Sequence, residues 1–356
     1  MNEAPRDVVL SCRNLWKVYG AHPERFFDHA NGNVGDAQAV AAKLAEIRAA
    51  DHIPAAANVS FDLHKGEIFV VMGLSGSGKS TVVRAVSRLI DATAGEVLLE
   101  GRDIQKLGPR ELIEVRRHKM GMVFQAFGLM PHLNVIDNIA FPLKLQGMAE
   151  AKRMEAARRV IALVGLEGRE ESFPDELSGG QQQRVGIARS LAVEPDIWLL
   201  DEPFSALDPL IRRQMQDEFL RIQASLAKSI IFITHDFLEA IRIADRIMIM
   251  KDGQVVQIGT AVDLILHPAD AYVREFVCDV PWEFALRARD VMRPAPTVWS
   301  GAARVGADTK VAEILPLLAR HPEGVAVADG TGTVLGLATA QGVIEALATG
   351  AEEAAP

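Results

Sequence analysis

Residues 67–81 read EIFVVMGLSGSGKST. An apolar run of buried-strand length enters a glycine-rich loop, and STVVRAVSRLI then continues as a helix. Few patterns constrain a fold more. A strand that feeds a loop of the form G-x-x-x-x-G-K-[ST] and then a helix belongs at the carboxyl edge of a parallel sheet in an α/β protein. Gly73, Gly76 and Gly78 allow backbone conformations that wrap phosphate groups. The cradle runs through Gly73, Leu74, Ser75, Gly76, Ser77, Gly78, Lys79, Ser80 and Thr81. Lys79 places a point charge against the β- and γ-phosphates, and the Ser80 hydroxyl is placed for Mg²⁺.

The rest of the chain fits that sheet. VVLSCRNLWKVYG (residues 8–20) reads as an opening strand and turn, and VSFDL (59–63) as a half-buried strand. Between them, residues 21–54 contain an Ala-rich stretch with Val40, Leu44 and Ile47 at near-helical spacing, read as an inserted helical element. Strands are expected at GEVLLEGRDI, MGMVFQ, DIWLLDEP and SIIFITHD, and a pair of strands around the Lys-Asp-Gly turn of DRIMIMKDGQVVQIG. Residues 126–192 are mostly helical by pattern and form a helical subdomain inserted into the core. The first domain is expected over residues 1–267, with a helical connector at 268–289. A small unit with helix and strand patterns follows at 290–349, and GAEEAAP (350–356) forms a disordered tail.

Three strand ends carry further chemistry. IWLLDE ends in Asp201 and Glu202, and carboxylates at the end of a buried strand face the ligand crevice of an α/β sheet. Asp201 would hold Mg²⁺ through water, and Glu202 would face the attacking water as general base. Gln125 ends its strand and could reach both Mg²⁺ and that water. His235, in FITHD, ends another apolar strand and could contact the γ-phosphate. Tyr19 precedes a glycine and could stack on adenine; the other reading is a half-buried core tyrosine.

Composition narrows the partners. The net charge of −9 argues against nucleic acid, which demands clustered Lys and Arg. Cys12 and Cys278 are the only cysteines, without metal-ligand spacing, which fits a reducing compartment. MNEAPRDVV does not read as a signal peptide, and no apolar run approaches the ~20 residues of a membrane helix. Service to a membrane would go through a partner.

A second anion-binding pattern, LSGGQQQRV (177–185), has a serine and two glycines ahead of a helical run. Taken alone it is a helix N-cap, which leaves the two glycines without a reason. In the order GLSGSGKST, Gln125, LSGGQQQRV, IWLLDEP, SALD, His235, residues 8–265 resemble the nucleotide-binding subunit of ABC transporters. The resemblance implies a P-loop NTPase core of ABC type, in the α/β class, with an antiparallel β-subdomain and the inserted helical subdomain. It also implies ATP and Mg²⁺ as cofactors, and a head-to-tail dimer in which one copy's LSGGQ closes over ATP held by the other's phosphate loop. Ser178, Gly179, Gly180 and Gln181 would then meet the γ-phosphate in trans, and Asp208, in SALD, would lie at the dimer seam.

A narrower resemblance, to the quaternary-amine import branch, rests on VYGAHPER with its insertion, MVFQAFGLMPHLNVIDNIAF, FPDELSGGQQQRV, FSALDPLIRRQMQDEF and HPADAYVREF. It implies a peripheral ATPase subunit on the cytoplasmic face of the membrane. Its partners would be integral permease subunits and, indirectly, a substrate-binding protein for glycine betaine, proline betaine, choline or carnitine. Coupling to the membrane subunits would run through the helical subdomain and Phe127–His132. The insertion makes Phe26 or Phe27 competitors of Tyr19 for adenine. Residues 290–348 resemble one CBS motif, a small α+β unit, carried by DVMRP, DTKVAEIL and GVAVADGTGTVLGLAT. Thr339 matches that motif's nucleotide-binding threonine, but Gly342 stands where it has an aspartate. Alternatives are a soluble ABC ATPase outside transport and an importer subunit for another small substrate.

Overall fold

The computed structural model describes residues 6–28, 32–125, 128–278, 283, 285–294 and 303–353. The chain forms two compact units. The first holds the chain up to Asp236 together with Ile243–Val256, and the second holds Phe237–Arg242 and the chain from Gln257 onward.

The strands of the first unit are β1 (Val8–Tyr19), β2 (Ile53–His64), β3 (Ile68–Met72), β4 (Ala94–Leu99), β5 (Arg102–Asp103), β6 (Met120–Val123), β7 (Ile197–Asp201), β8 (Ser229–Thr234), β9 (Arg246–Lys251) and β10 (Gln254–Gly259), the last running into the second unit. One sheet has the order β10-β9-β3-β8-β7-β6. Its pairs β9–β3, β3–β8, β8–β7 and β7–β6 are parallel. IFVVM, IWLLD and SIIFIT are buried at every position, as strands covered on both faces must be. Asp252 and Gly253 both adopt positive φ between β9 and β10, the two-residue hairpin geometry that Asp-Gly favours.

A second sheet, β2-β1-β4-β5, is antiparallel where β1 meets β2 and β4. Phe61 and Phe69, stacked 5.0 Å apart, join it to the parallel sheet. β2 begins at Ile53, six residues ahead of the expected VSFDL strand. Its early part, IPAAAN, pairs Ile53 with Tyr19 and Ala56 with Lys17. Proline and alanines have low strand propensity, so pairing with β1 creates this stretch and local preference does not.

The insertion comprises a 3-10 turn (Pro23–Phe26) and α1 (Ala37–Ala49). Asp36 caps α1 by accepting from Ala39 N at 3.0 Å. Val40, Leu44 and Ile47 turn inward to a cluster with Trp16, Val18, Phe26 and Ala57. The remaining helices of this unit are α2 (Lys79–Val86), α3 (Pro109–His118), α4 (Val135–Leu145), α5 (Glu150–Leu163), α6 (Gly179–Leu191) and α7 (Pro209–Leu226). α4, α5 and α6 pack on one another as the helical block. Fully buried Asn138 bonds Met130 N, Met130 O and Leu133 O, which fixes the loop after β6. Phe127, one end of the expected coupling segment, lies outside the described residues.

In the second unit a sheet of order β11-β14-β13-β12 uses Met292–Arg293, Val334–Ala338, Val325–Ala328 and Arg304–Gly306 respectively. With helices Val311–Arg320 and Ala340–Glu353, the chain runs β-α-β-β-α from Arg304. Leu286, Val311, Ile314, Val325 and Val327 form its core. The last helix continues to Glu353, past Gly350, where the disordered tail was expected to start.

Candidate nucleotide site

Everything at the carboxyl ends of β3, β6, β7 and β8 converges. Gly73, Gly76 and Gly78 have φ of 152°, 81° and 97°. A Cβ on Gly73 would come 2.3 Å from Met250 O, and one on Gly78 would come 2.2 Å from Ala55 O. These two glycines let the loop press against its own scaffold. A Cβ on Gly76 would meet nothing within 4 Å, so its backbone borders open space. Gly253 N donates to Ser77 O at 3.0 Å, clamping the back of the loop with the β9–β10 turn.

Lys79, 6% exposed, donates to Gly73 O at 2.7 Å and Leu74 O at 2.9 Å. Its ammonium is thereby held under the loop. Burial pushes its pKa below the ordinary lysine value, against the opposing pull of Glu202 and Asp201. Ser77 Oγ is buried with no hydrogen-bond partner among the described residues, and it faces a loop built for anions. Ser80 Oγ donates to Asp201 Oδ1 at 2.9 Å. A hydroxyl beside a buried carboxylate is a hard-oxygen donor set of the kind Mg²⁺ takes with phosphate oxygens. The residues present therefore fit a nucleotide with its divalent cation.

Glu202 follows β7 in a left-handed conformation, φ 46°, fixed by Glu202 N donating to Ile233 O at 3.1 Å. A non-glycine residue there is strained, and the strain aims the carboxylate out of the strand line. Glu202 Oε2 receives Gln125 Nε2 at 3.3 Å and lies 3.2 Å from His235 Nδ1. The structure brings Lys79, Ser80, Gln125, Asp201, Glu202 and His235 into one cluster from four strand ends.

The second group lies at the N-termini of α6 and α7. Ser178 and Gln181 form a capping box, with Ser178 N donating to Gln181 Oε1 at 2.9 Å and Gln181 N to Ser178 Oγ at 3.3 Å. Gly179 opens α6. A Cβ on Gly180 would come 2.8 Å from Ile211 Cγ2, so the second glycine permits α6 to approach α7. Asp208 caps α7, accepting from Leu210 N and Ile211 N at 3.1 Å each.

The three aromatics separate. Phe26 is buried edge-on to His52, and Phe27 packs 5.3 Å from Trp16. Tyr19 is 44% exposed, with the Lys17 ammonium 5.1 Å from its ring centre.

Sequence reasoning missed three supports. Arg84 Nη2 lies 3.6 Å from Asp201 Oδ2, Ser205 Oγ lies 3.5 Å from Gln125 Nε2, and Arg212 Nε and Nη2 hold the carbonyls of Phe204, Ser205 and Leu207. Arg212 thus shapes the SALD loop ahead of Asp208. An arginine inside a polar helix carries no signal for this; only the folding-back of α7 reveals it. In the second unit, Thr339 Oγ1 accepts from Gly342 N at 3.0 Å and serves as a helix cap. A Cβ on Gly342 would stand 2.9 Å from Val291 O, which leaves no room for an aspartate there.

This geometry is that of an ATP-hydrolysing cassette, and the profile of the family described as ABC transporter matches residues 56–205. The chain belongs to the ABC transporter ATP-binding family and is an ATPase of that type. It is 49% identical to the trimethylamine N-oxide transport system ATP-binding protein TmoW of Pelagibacter ubique over 93% of this chain and 94% of that one. The protein of the same name from Ruegeria pomeroyi is also 49% identical, over 95% of this chain and 97% of its own length. The glycine betaine/proline betaine transport system ATP-binding protein ProV of Salmonella typhimurium is 48% identical over 81% of this chain and 70% of its own. Among solved structures, the "Dimeric Structure of MJ0796, a Bacterial ABC Transporter Cassette" aligns with a TM-score of 0.57 at 31% identity, covering 71% of this chain and 98% of that one. Among the described residues, no helix is long and apolar enough to cross a membrane.

Proposed function

We propose that this chain energises import of a small methylated amine, with trimethylamine N-oxide ahead of the betaines. The observation that carries this reading is coverage. Both trimethylamine N-oxide transport relatives match almost end to end, whereas the betaine transport relative matches at similar identity over only 70% of its length. The cargo itself would be chosen by permease subunits and a separate binding protein.

In this reading Lys79 and the backbone of residues 73–81 bind the phosphates, and Tyr19 stacks on the base. Ser80, Gln125 and Asp201 would hold Mg²⁺. When bound, the metal would neutralise charge on the phosphate oxygens. Glu202 accepts the proton of the attacking water, and Gln125 and His235, both within 3.3 Å of its carboxylate, orient that carboxylate and the γ-phosphate. Ser178, Gly179, Gly180, Gln181 and Asp208 complete the site of a second copy in a head-to-tail sandwich. The dimeric cassette neighbour supports that arrangement. The subunit would sit at the cytoplasmic face of the membrane. The second unit is read as a CBS-like packing module, since Gly342 leaves it without a ribose-binding carboxylate.

The test is ATP hydrolysis by this chain in vesicles with its permease. Binding protein loaded with trimethylamine N-oxide should stimulate hydrolysis more than the same protein loaded with glycine betaine. Stimulation by glycine betaine alone would move the assignment to the betaine group, and stimulation by neither would sink the cargo class.

A further inference from the structure

One arginine spans two loops of the nucleotide site. Arg212 lies in the first turn of α7, a turn without an acidic residue. The positive end of a helix dipole disfavours a cation there, so helix preference does not explain its place. Its side-chain contacts do. Nε donates to Phe204 O at 3.2 Å, and Nη2 donates to Ser205 O at 3.4 Å and to Leu207 O at 3.1 Å. Three carbonyls of one loop thus face one guanidinium. The planar fork suits that arrangement, because it presents five N–H groups in fixed directions. On its other edge, Nη1 lies 3.8 Å from Asp236 Oδ2.

Both loops lead to groups of the site. Ser205 N donates to Glu202 O at 3.3 Å, and Ser205 Oγ donates to the same carbonyl at 3.0 Å. The held loop is therefore anchored at Glu202 on one side and ends at Asp208, the cap of α7, on the other. Asp236 directly follows His235, whose Nδ1 lies 3.2 Å from Glu202 Oε2. Buried Thr234 sets the other side of that turn, its Oγ1 accepting from Asp236 N at 3.0 Å. The Arg212 and Asp236 side chains are 30% and 36% exposed, so solvent weakens their ion pair. The three carbonyl bonds hold the guanidinium in place regardless, and Asp236 meets a charge that is already fixed.

We propose that Arg212 is a positioning residue that ties the loop at 204–208 to the turn at 235–236, so that Asp208 and His235 are set in place together. The inference rests on the proposed head-to-tail dimer, in which Asp208 meets a second copy and His235 meets the γ-phosphate. Docking of the second copy on Asp208 then reaches His235 through one side chain, and hydrolysis follows assembly.

Two measurements on the full chain test this. The first is ATP-driven dimerisation in a Glu202→Gln background, followed by analytical ultracentrifugation. Arg212→Gln should raise the concentration at which half the chain is dimeric by about tenfold, the worth of one hydrogen bond from a charged group, with ATP affinity of the monomer within about twofold. A dimer that forms equally well with and without Arg212 overturns the proposal alone. No ATP-driven dimer even with Arg212 present sinks the head-to-tail reading, and the seam half of the proposal with it. The second is a double-mutant cycle on kcat. Arg212→Gln should lower kcat by about tenfold to a hundredfold, as misplaced catalytic groups do. Asp236→Asn should lower it by about threefold, as loss of a half-exposed ion pair does, with KM for ATP unaltered. The double variant should lose no more than Arg212→Gln; losses that multiply overturn the link to His235. Arg212→Lys keeps the charge without the fork and should leave most of the loss in place, so full recovery overturns the clasp on the three carbonyls. Should Arg212→Gln fold poorly, Asp236→Asn still decides, because an unchanged kcat there overturns the link.

Discussion

At Glu202 the backbone carries a strained φ, and the carboxylate gathers Gln125 and His235. Removing its charge while keeping its shape isolates the proton-accepting role. Glu202→Gln should cut hydrolysis by about 10²- to 10⁴-fold, the range of a general base, while ATP binding persists. Size-exclusion chromatography with ATP should then show an accumulating dimer; unchanged turnover would remove Glu202 from the base role. Asp62 shows the same residue-level logic in stability. Burial raises its pKa, but hydrogen bonds from Ser11 at 2.5 Å and Arg13 at 2.6 Å outweigh this and hold it below the usual 3.8. A depressed carboxylate stabilises the fold fully above its unfolded value and loses that contribution as pH falls through its folded value. Asp62→Asn should therefore lower the urea midpoint near neutrality, and its gap to wild type should close as pH drops below 3.8. A gap that widens in acid would contradict the assignment.

Elements meet where side chains are missing. α6 approaches α7 because residue 180 has no Cβ; one added there would lie 2.8 Å from Ile211. Gly180→Ala should displace the Ser178–Gln181 cap by a fraction of an ångström. Hydrolysis should fall by about tenfold to a hundredfold, as misplaced catalytic groups do, with ATP binding by the monomer unaltered. Steady-state turnover beside nucleotide titration separates the two effects, and parallel losses in both would point to misfolding. In the second unit, Gly342→Asp would force a Cβ to within 2.9 Å of Val291 O. It should lower the melting temperature without creating adenine-nucleotide affinity. Calorimetry with and without AMP checks both halves of that expectation.

Across the whole chain, the proposed function gives ATP to this subunit and the cargo to its partners. That division of labour has a measurable consequence. Detergent-free purified chain should hydrolyse ATP with no dependence on added trimethylamine N-oxide, and only permease plus loaded binding protein should confer it. Direct stimulation of the isolated chain would place cargo recognition here.

The residues of the phosphate loop, the two carboxylates at the end of the β7 run and the strand-end Gln125 and His235 were legible in sequence because each follows a continuous apolar run. Local periodicity fixes where such a run ends, and a parallel sheet puts all those ends on one edge. The start of β2 at Ile53, the burial of Phe26, the packing of Phe27 on Trp16, the grip of Arg212 on the SALD loop and the close approach of His52 to Gly20 were not legible. Each depends on which distant segment lies alongside, as when Ile53 pairs with Tyr19 across the insertion. Sequence alone determined the class of chemistry, because phosphate-binding residues must be adjacent along the backbone to share one loop. Tertiary structure alone decided which aromatic stays exposed and what packs against the insertion, because burial and hydrogen bonding between residues far apart in the chain exist only once it has folded.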